Sequence, residues 1–129
     1  MINEAYCSYE VSKLLKEKGF DEPCKSYFID NVDYIDYFYS TEELTDLNMG
    51  VWETLRPTHQ MACAWLREKH FIIVVTPVFF NVDYENSKWG YDIWADDNLE
   101  VSAEDCSKPL ATYEEATEEA LKYCLENLL

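Results

Sequence analysis

Two periodicities of hydrophobic and polar residues alternate along this chain, and residues 57–77, PTHQMACAWLREKHFIIVVTP, hold one of each in succession. Met61, Ala62, Trp65 and Leu66 recur at a helical spacing, the stem of Lys69 extends their stripe, and Gln60, Arg67 and Glu68 point away. Thr58 follows a proline and offers its hydroxyl oxygen to the orphan N–H groups of a first turn, so a helix is expected to begin there. That helix runs with little room for a loop into Phe71-Ile72-Ile73-Val74-Val75. An unbroken β-branched and aromatic run of this kind is expected of a strand with both faces covered and water excluded.

Upstream, Ser8 opens a helical pattern with Val11, Leu14 and Leu15 on one face, and Gly19 is placed to end it as a left-handed residue. Cys24 to Ile29 and Tyr34 to Ser40 read as two strands of a hairpin, with Asp30 to Asp33 supplying the turn. Residues 41–56 carry no clear period and are expected to form an irregular connection. Downstream, Pro77 marks an edge or a bulge because it has no N–H to give to a ladder. Trp89 to Ala95 reads as a returning strand, with Tyr91 and Ile93 on one face and Asp92 and Trp94 on the other. Asp96 to Pro109 is expected to be an acidic surface loop. A closing helix follows over 112–128: Thr112 and Glu115 make a capping box, and Tyr113, Ala116, Ala120, Leu121, Cys124, Leu125 and Leu128 form its apolar stripe.

The two halves resemble each other. Leu15-Lys16-Glu17-Lys18-Gly19-Phe20 matches Leu66-Arg67-Glu68-Lys69-His70-Phe71, and Asn31-Val32-Asp33-Tyr34 recurs as Asn81-Val82-Asp83-Tyr84. Each match sits at the same place in an order of helix, strand, turn, strand, so residues 8–40 and 58–95 are readable as two α-β-β units. The expected architecture is a single α+β domain: one antiparallel sheet from two hairpins, about three helices on one face, and the closing helix.

Composition narrows the chemistry. The 129 residues are 48% hydrophobic and 16% aromatic, enough to bury a core without a metal or disulfide. No apolar run reaches the roughly 20 residues of a membrane span, and the first residues, MINEAYCSYE, lack a signal core, so a cytoplasmic protein is expected. Five cysteines with no C-x-x-C pair read as reduced thiols. The net charge of −16 is concentrated in two blocks, −7 over residues 30–55 and −10 over residues 70–129. Such a field repels phosphates and anionic lipid and favours a basic protein partner, or, as a sharper variant, mimicry of DNA by spaced carboxylates.

Catalytic motifs are not evident. His59 and Cys63 are four apart on the central helix, a spacing that suits half a metal site or an imidazole beside a thiol, but no second pair has ligand spacing and the ordinary role is at the edge of the buried stripe. Asp92, Asp96, Asp97 and Glu100 lack the spacing of a calcium loop, and three glycines leave little scope for a phosphate cradle. No cofactor, metal ligand or catalytic residue is therefore expected. The feature with functional flavour is the alternation of aromatic rings and carboxylates, Tyr34, Asp36, Tyr37 and Tyr39 with Trp89, Tyr91, Asp92 and Trp94. Exposed rings anchor interfaces and carboxylates beside them select basic partners, although packing within an aromatic-rich sheet would use the same rings.

EVSKLLKEKGFDEPC, PTHQMACAWLRE and TYEEATEEALKYCLENLL together resemble a group of short prophage and mobile-element proteins of gut bacteria. The resemblance implies membership and assigns no activity, ligand or residue role. The expectation is a non-enzymatic acidic interaction module. A small enzyme or ligand-binding domain with a pocket near the central helix, and a homo-oligomeric structural protein, are the alternatives.

Overall fold

The computed structural model of the chain describes residues 4–29, 32–39, 54–78, 88–105 and 109–129. Among them the elements run α1 (Tyr9–Glu17), β1 (Cys24–Ile29), β2 (Val32–Tyr39), β3 (Thr54–Arg56), α2 (His59–Glu68), β4 (Phe71–Val78), β5 (Lys88–Ala95), β6 (Asn98–Val101), a 3-10 turn (Ala103–Asp105), and α3 (Tyr113–Tyr123), which continues as one wide π turn (Cys124–Leu128). The chain divides into two compact units, residues 1–62 and 63–129, and the division falls inside α2.

In the first unit the ends of α1 are fixed by local chemistry. Ser8 is the N-cap, its side chain accepting from the Val11 N–H at 3.2 Å. Gly19 has φ 95°, and the Gly19 N–H donates to the Lys16 carbonyl at 3.1 Å while the Phe20 N–H donates to the Leu15 carbonyl at 2.9 Å. These two bonds are those of a Schellman ending, and Phe20 is buried beside it, as is Leu15. β1 is the central strand of a three-stranded antiparallel sheet ordered β2-β1-β3, with Tyr27 opposite Tyr34 on one side and Leu55 on the other. β2 begins at Val32, so Val32 and Asp33 belong to the strand rather than to the expected turn. The strand β3 lies in the tract expected to be irregular, where Leu55 is buried and Arg56 places its guanidinium 4.6 Å from the Tyr6 ring centre and 5.4 Å from that of Phe28.

The second unit is built on β5. It pairs with β4 over eight positions, from Phe71 opposite Ala95 to Val78 opposite Lys88, and with β6 through Trp94–Leu99 and Ala95–Asn98. The acidic tract expected to be a loop thus contributes both a strand and the 3-10 turn, and Asp96, at φ 56°, makes the left-handed corner between β5 and β6. Pro77 lies in β4, at the edge of the sheet as expected, opposite Trp89. In α2 Thr58 is the cap, accepting from the Met61 N–H at 3.1 Å, and Ala62, Trp65 and Leu66 are buried; Met61 is only half-buried. The helix ends on His70 at φ 74°, the position matched with Gly19 in the first half. α3 carries the expected cap: Thr112 Oγ1 accepts from the Glu115 N–H at 3.0 Å and the Glu115 carboxylate accepts from the Ala111 N–H at 3.3 Å. Tyr113, assigned to its buried stripe, is instead exposed, and Thr117 takes a buried place with its hydroxyl donating to the Tyr113 carbonyl at 2.9 Å.

The α+β class is as expected. The single sheet is not: among the described residues the two hairpins lie in separate three-stranded sheets, with β3 as the third strand of one and β6 of the other.

Two substitutions test this packing. Ser12 is buried in α1 and its hydroxyl has no hydrogen-bond partner among the described residues, so Ser12→Ala is expected to raise stability by about 1 kcal/mol in urea unfolding. A Cβ added at Gly90 would stand 2.9 Å from Val78 Cγ2 and 3.2 Å from Ala103 Cβ, so Gly90→Ala should lower stability by roughly 1–3 kcal/mol.

Candidate functional site

Strand alternation sorts the second sheet into two faces. Phe71, Ile73, Val75, Tyr91, Ile93 and Trp89 share one of them, the face that α3 covers. Ile93 is fully buried there, Leu110 bridges to Trp89 through paired 2.8 Å backbone bonds, and the Trp89 ring meets Tyr113 of α3 edge-on with centres 5.4 Å apart. Ile72, Val74, Thr76 and Val78 of β4, Asp92 and Trp94 of β5, and Leu99 of β6 share the other. That face is open. Ile72 is 43%, Val74 42% and Leu99 46% exposed, which corrects the expectation that β4 is covered on both sides. The apolar run lacks alternation, yet among the described residues α3 packs against β4 and β5 on one face and leaves Ile72 and Val74 on the other exposed.

One end of the open face is partly roofed. The 3-10 turn bends back so that Ala103 lies over Gly90, and Asp92 Oδ1 accepts from the Ala103 N–H at 2.7 Å. This charge-assisted bond holds the turn down. Between the turn and β6 lies a cleft of about 530 Å³, lined by Thr76, Val78, Asp92, Leu99, Ser102 and Glu104 among others. Its walls combine carboxylates and hydroxyls with an apolar floor.

Of the residues singled out on interface grounds, Asp92 and Trp94 meet on this open face, whereas Trp89 and Tyr91 lie on the helix-covered one. Tyr34, Asp36, Tyr37 and Tyr39 all lie on β2, with Tyr34 opposite Tyr27 and Tyr39 opposite Cys24. Ile72, Val74 and Leu99 were missed. The signal that could have found them is the absence of polar alternation in β4 together with a single downstream helix to cover its sheet.

Comparison with family models, with curated proteins and with solved structures returns no match. The site is therefore read from its own chemistry. Among the described residues no helix is long and apolar enough to cross a membrane.

His59, considered with Cys63 on the basis of spacing, has a different thiol brought to it. The Tyr6–Thr58 bridge, with the Cys7 N–H donating to the Pro57 carbonyl and the His59 N–H to the Ala5 carbonyl, each at 2.9 Å, carries Cys7 Sγ to within 4.8 Å of an imidazole nitrogen. One thiol and one imidazole are half the donor set of a structural zinc, and Cys7 is fully buried. In the second unit burial raises the Cys63 thiol, with Arg67 opposing it, and pushes Cys124 up to about 12, assisted by Cys63. In the first unit burial, with Glu22 adding to it, pushes Cys24 up to about 12 while its thiol donates to the Glu22 carbonyl at 3.2 Å. Shifts in this direction hold the thiols protonated and are the opposite of those that activate a nucleophile.

Iodoacetamide at pH 8 is accordingly expected to leave Cys24 and Cys124 unmodified in the folded chain and to alkylate both after unfolding, as read by peptide mass spectrometry. The unfolded thiols ionise near 9.0 and the folded ones near 12, so across that interval the native state retains protons that the unfolded state has lost. Stability should fall as pH rises through the window and be independent of these two groups below it.

Proposed function

We propose that this chain is a non-enzymatic interaction module whose acidic surface engages a basic partner protein. The observation that carries this reading is the β5–β6 hairpin with the turn that follows it: Asp96, Asp97, Glu100 and Glu104 are exposed there, bordering the open apolar face. They belong to a segment, residues 70–129, whose net charge is −10. Apolar surface supplies the holding energy of an interface, and a one-signed rim chooses its partner and speeds encounter. The same rim disfavours nucleic acid and anionic lipid. A cytoplasmic setting and a prophage or mobile-element origin accompany the proposal.

The test is capture from a bacterial lysate by tagged wild type and by the triple variant Asp96→Asn, Asp97→Asn, Glu100→Gln, at about 50 mM and about 300 mM salt. Wild type should retain a basic protein at the lower salt and release it at the higher, and the variant should retain several-fold less. Equal capture by both proteins, or none by wild type, would sink the reading.

A further inference from the structure

We infer that the open face of the second sheet is the docking surface for a basic amphipathic helix of the partner. This rests on the reading above and deepens it, by assigning the contact to one face and the partner to one kind of segment.

The first ground is what the face lacks. Sheets in α+β domains are covered by helices laid across them, and α3 does this on the side of Ile93 and Trp89. On the opposite side Ile72, Val74 and Leu99 stand 40% or more exposed around Trp94. Cross-strand pairing places Ile72 against Trp94 and Trp94 against Leu99, so one row of apolar side chains crosses all three strands. Singly scattered surface hydrophobes are ordinary, whereas a contiguous row is the mark of an interaction site.

Charge supplies the second ground. Asp92 lies on the face itself, opposite Val74, and Glu104 lines the cleft beside it. Asp96 and Asp97 stand exposed in the turn between β5 and β6, Glu100 is exposed in β6 next to Leu99, and Lys88 marks the far end, opposite Val78. A helix with an apolar stripe flanked by lysine or arginine satisfies both requirements at once: its stripe covers the row and its cations reach the carboxylates. Asp92 still has a carboxylate oxygen beyond the Oδ1 that accepts from Ala103. The size is appropriate too. From Ile72 to Val78 the strand spans about 20 Å at 3.3 Å per residue, the length of a helix of roughly 14 residues.

The experiment uses the full chain and a synthetic 14-residue helical peptide of leucine and lysine with an apolar stripe. A peptide with glutamate for lysine and a scrambled peptide of the same composition serve as controls. Affinity is measured by titration calorimetry, and the contact is mapped by amide chemical shifts. Val74→Lys and Glu104→Lys lie on the proposed surface. Glu119→Lys makes the same charge change as Glu104→Lys but on the exposed side of α3. Circular dichroism checks that each variant is folded. Binding of the stripe peptide alone, shifts centred on Ile72, Val74, Trp94 and Leu99, about tenfold weaker binding in Val74→Lys and Glu104→Lys, and less than twofold change in Glu119→Lys are expected. Equal weakening by Glu119→Lys and Glu104→Lys would overturn the docking face and leave the acidic-module reading standing. No binding at low salt would overturn the docking face, while the acidic-module reading would still stand or fall on capture from the lysate. Self-association that Val74→Lys abolishes, seen by sedimentation at several concentrations, would show that a second copy covers the face and would also overturn the proposal.

Discussion

An antiparallel sheet has two faces, and each must meet either solvent or something amphipathic. Among the described residues of the second unit, α3 is the helix packed against β4 and β5, and much of the unit's structure follows from its covering one face. On the covered side Ile93 loses all contact with water, and the Trp89 ring finds an aromatic partner in Tyr113 at the start of α3. On the other side the chain covers what it can with a 3-10 turn, held down by the bond from the Ala103 N–H to Asp92. Room for that turn exists because residue 90 has no side chain. Complete burial of a valine or isoleucine is worth about 1.5–3 kcal/mol, so Ile72 and Val74, both more than 40% exposed, leave a substantial part of that stabilisation unrealised within the chain.

The helices of both halves are settled at their ends. Ser8, Thr58 and Thr112 each place a hydroxyl on an N–H three residues ahead, and each helix starts where that residue stands. The C-terminal ends are also alike. Gly19 and His70, which align when the two halves of the sequence are compared, both take left-handed backbone, which costs glycine nothing and a side-chain-bearing residue about 1 kcal/mol. His70 is accommodated with help from its surroundings: its carbonyl accepts from the Asp96 N–H at 2.9 Å and its imidazole stands 3.3 Å from the Asp96 carboxylate. The order helix, strand, strand recurs in the two units, but the third strand does not join at the equivalent place. β1 is central in one sheet and β5 in the other, the first strand of its hairpin in one case and the second in the other.

Local signals were legible in the sequence because they act over three or four residues. The three caps, the Gly19 ending, the extent of β5 and the facing of Asp92 and Trp94 away from Tyr91 and Ile93 all belong to this class. Decisions made at long range were hidden. β3 is three residues long, and Thr54-Leu55-Arg56 has no period of its own; what makes it a strand is the edge that β1 offers. β6 is concealed for a different reason: three of its four residues are exposed, so the acidic composition that suggested a loop reports on solvent contact while the backbone pairs with β5. The apolar run of β4 led to the opposite error, since composition records what a strand could bury and not what is present to bury it. In the same way His59 could be placed on its helix from sequence, but the arrival of Cys7 depended on a bridge between residues 52 positions apart.

The open face also bears on how the protein behaves in concentrated solution. An exposed row of isoleucine, valine and leucine is adhesive, and the extended FIIVV tract belongs to the kind of segment that seeds aggregation when a chain is partly unfolded. What opposes this at neutral pH is mutual repulsion among molecules each carrying a net charge of −16. The repulsion fades towards the isoelectric point near 4.2, where carboxylates take up protons while the apolar row is unchanged. The same carboxylates thus act as a colloidal guard for the face, and solubility should be governed more by their ionisation than by the stability of the fold.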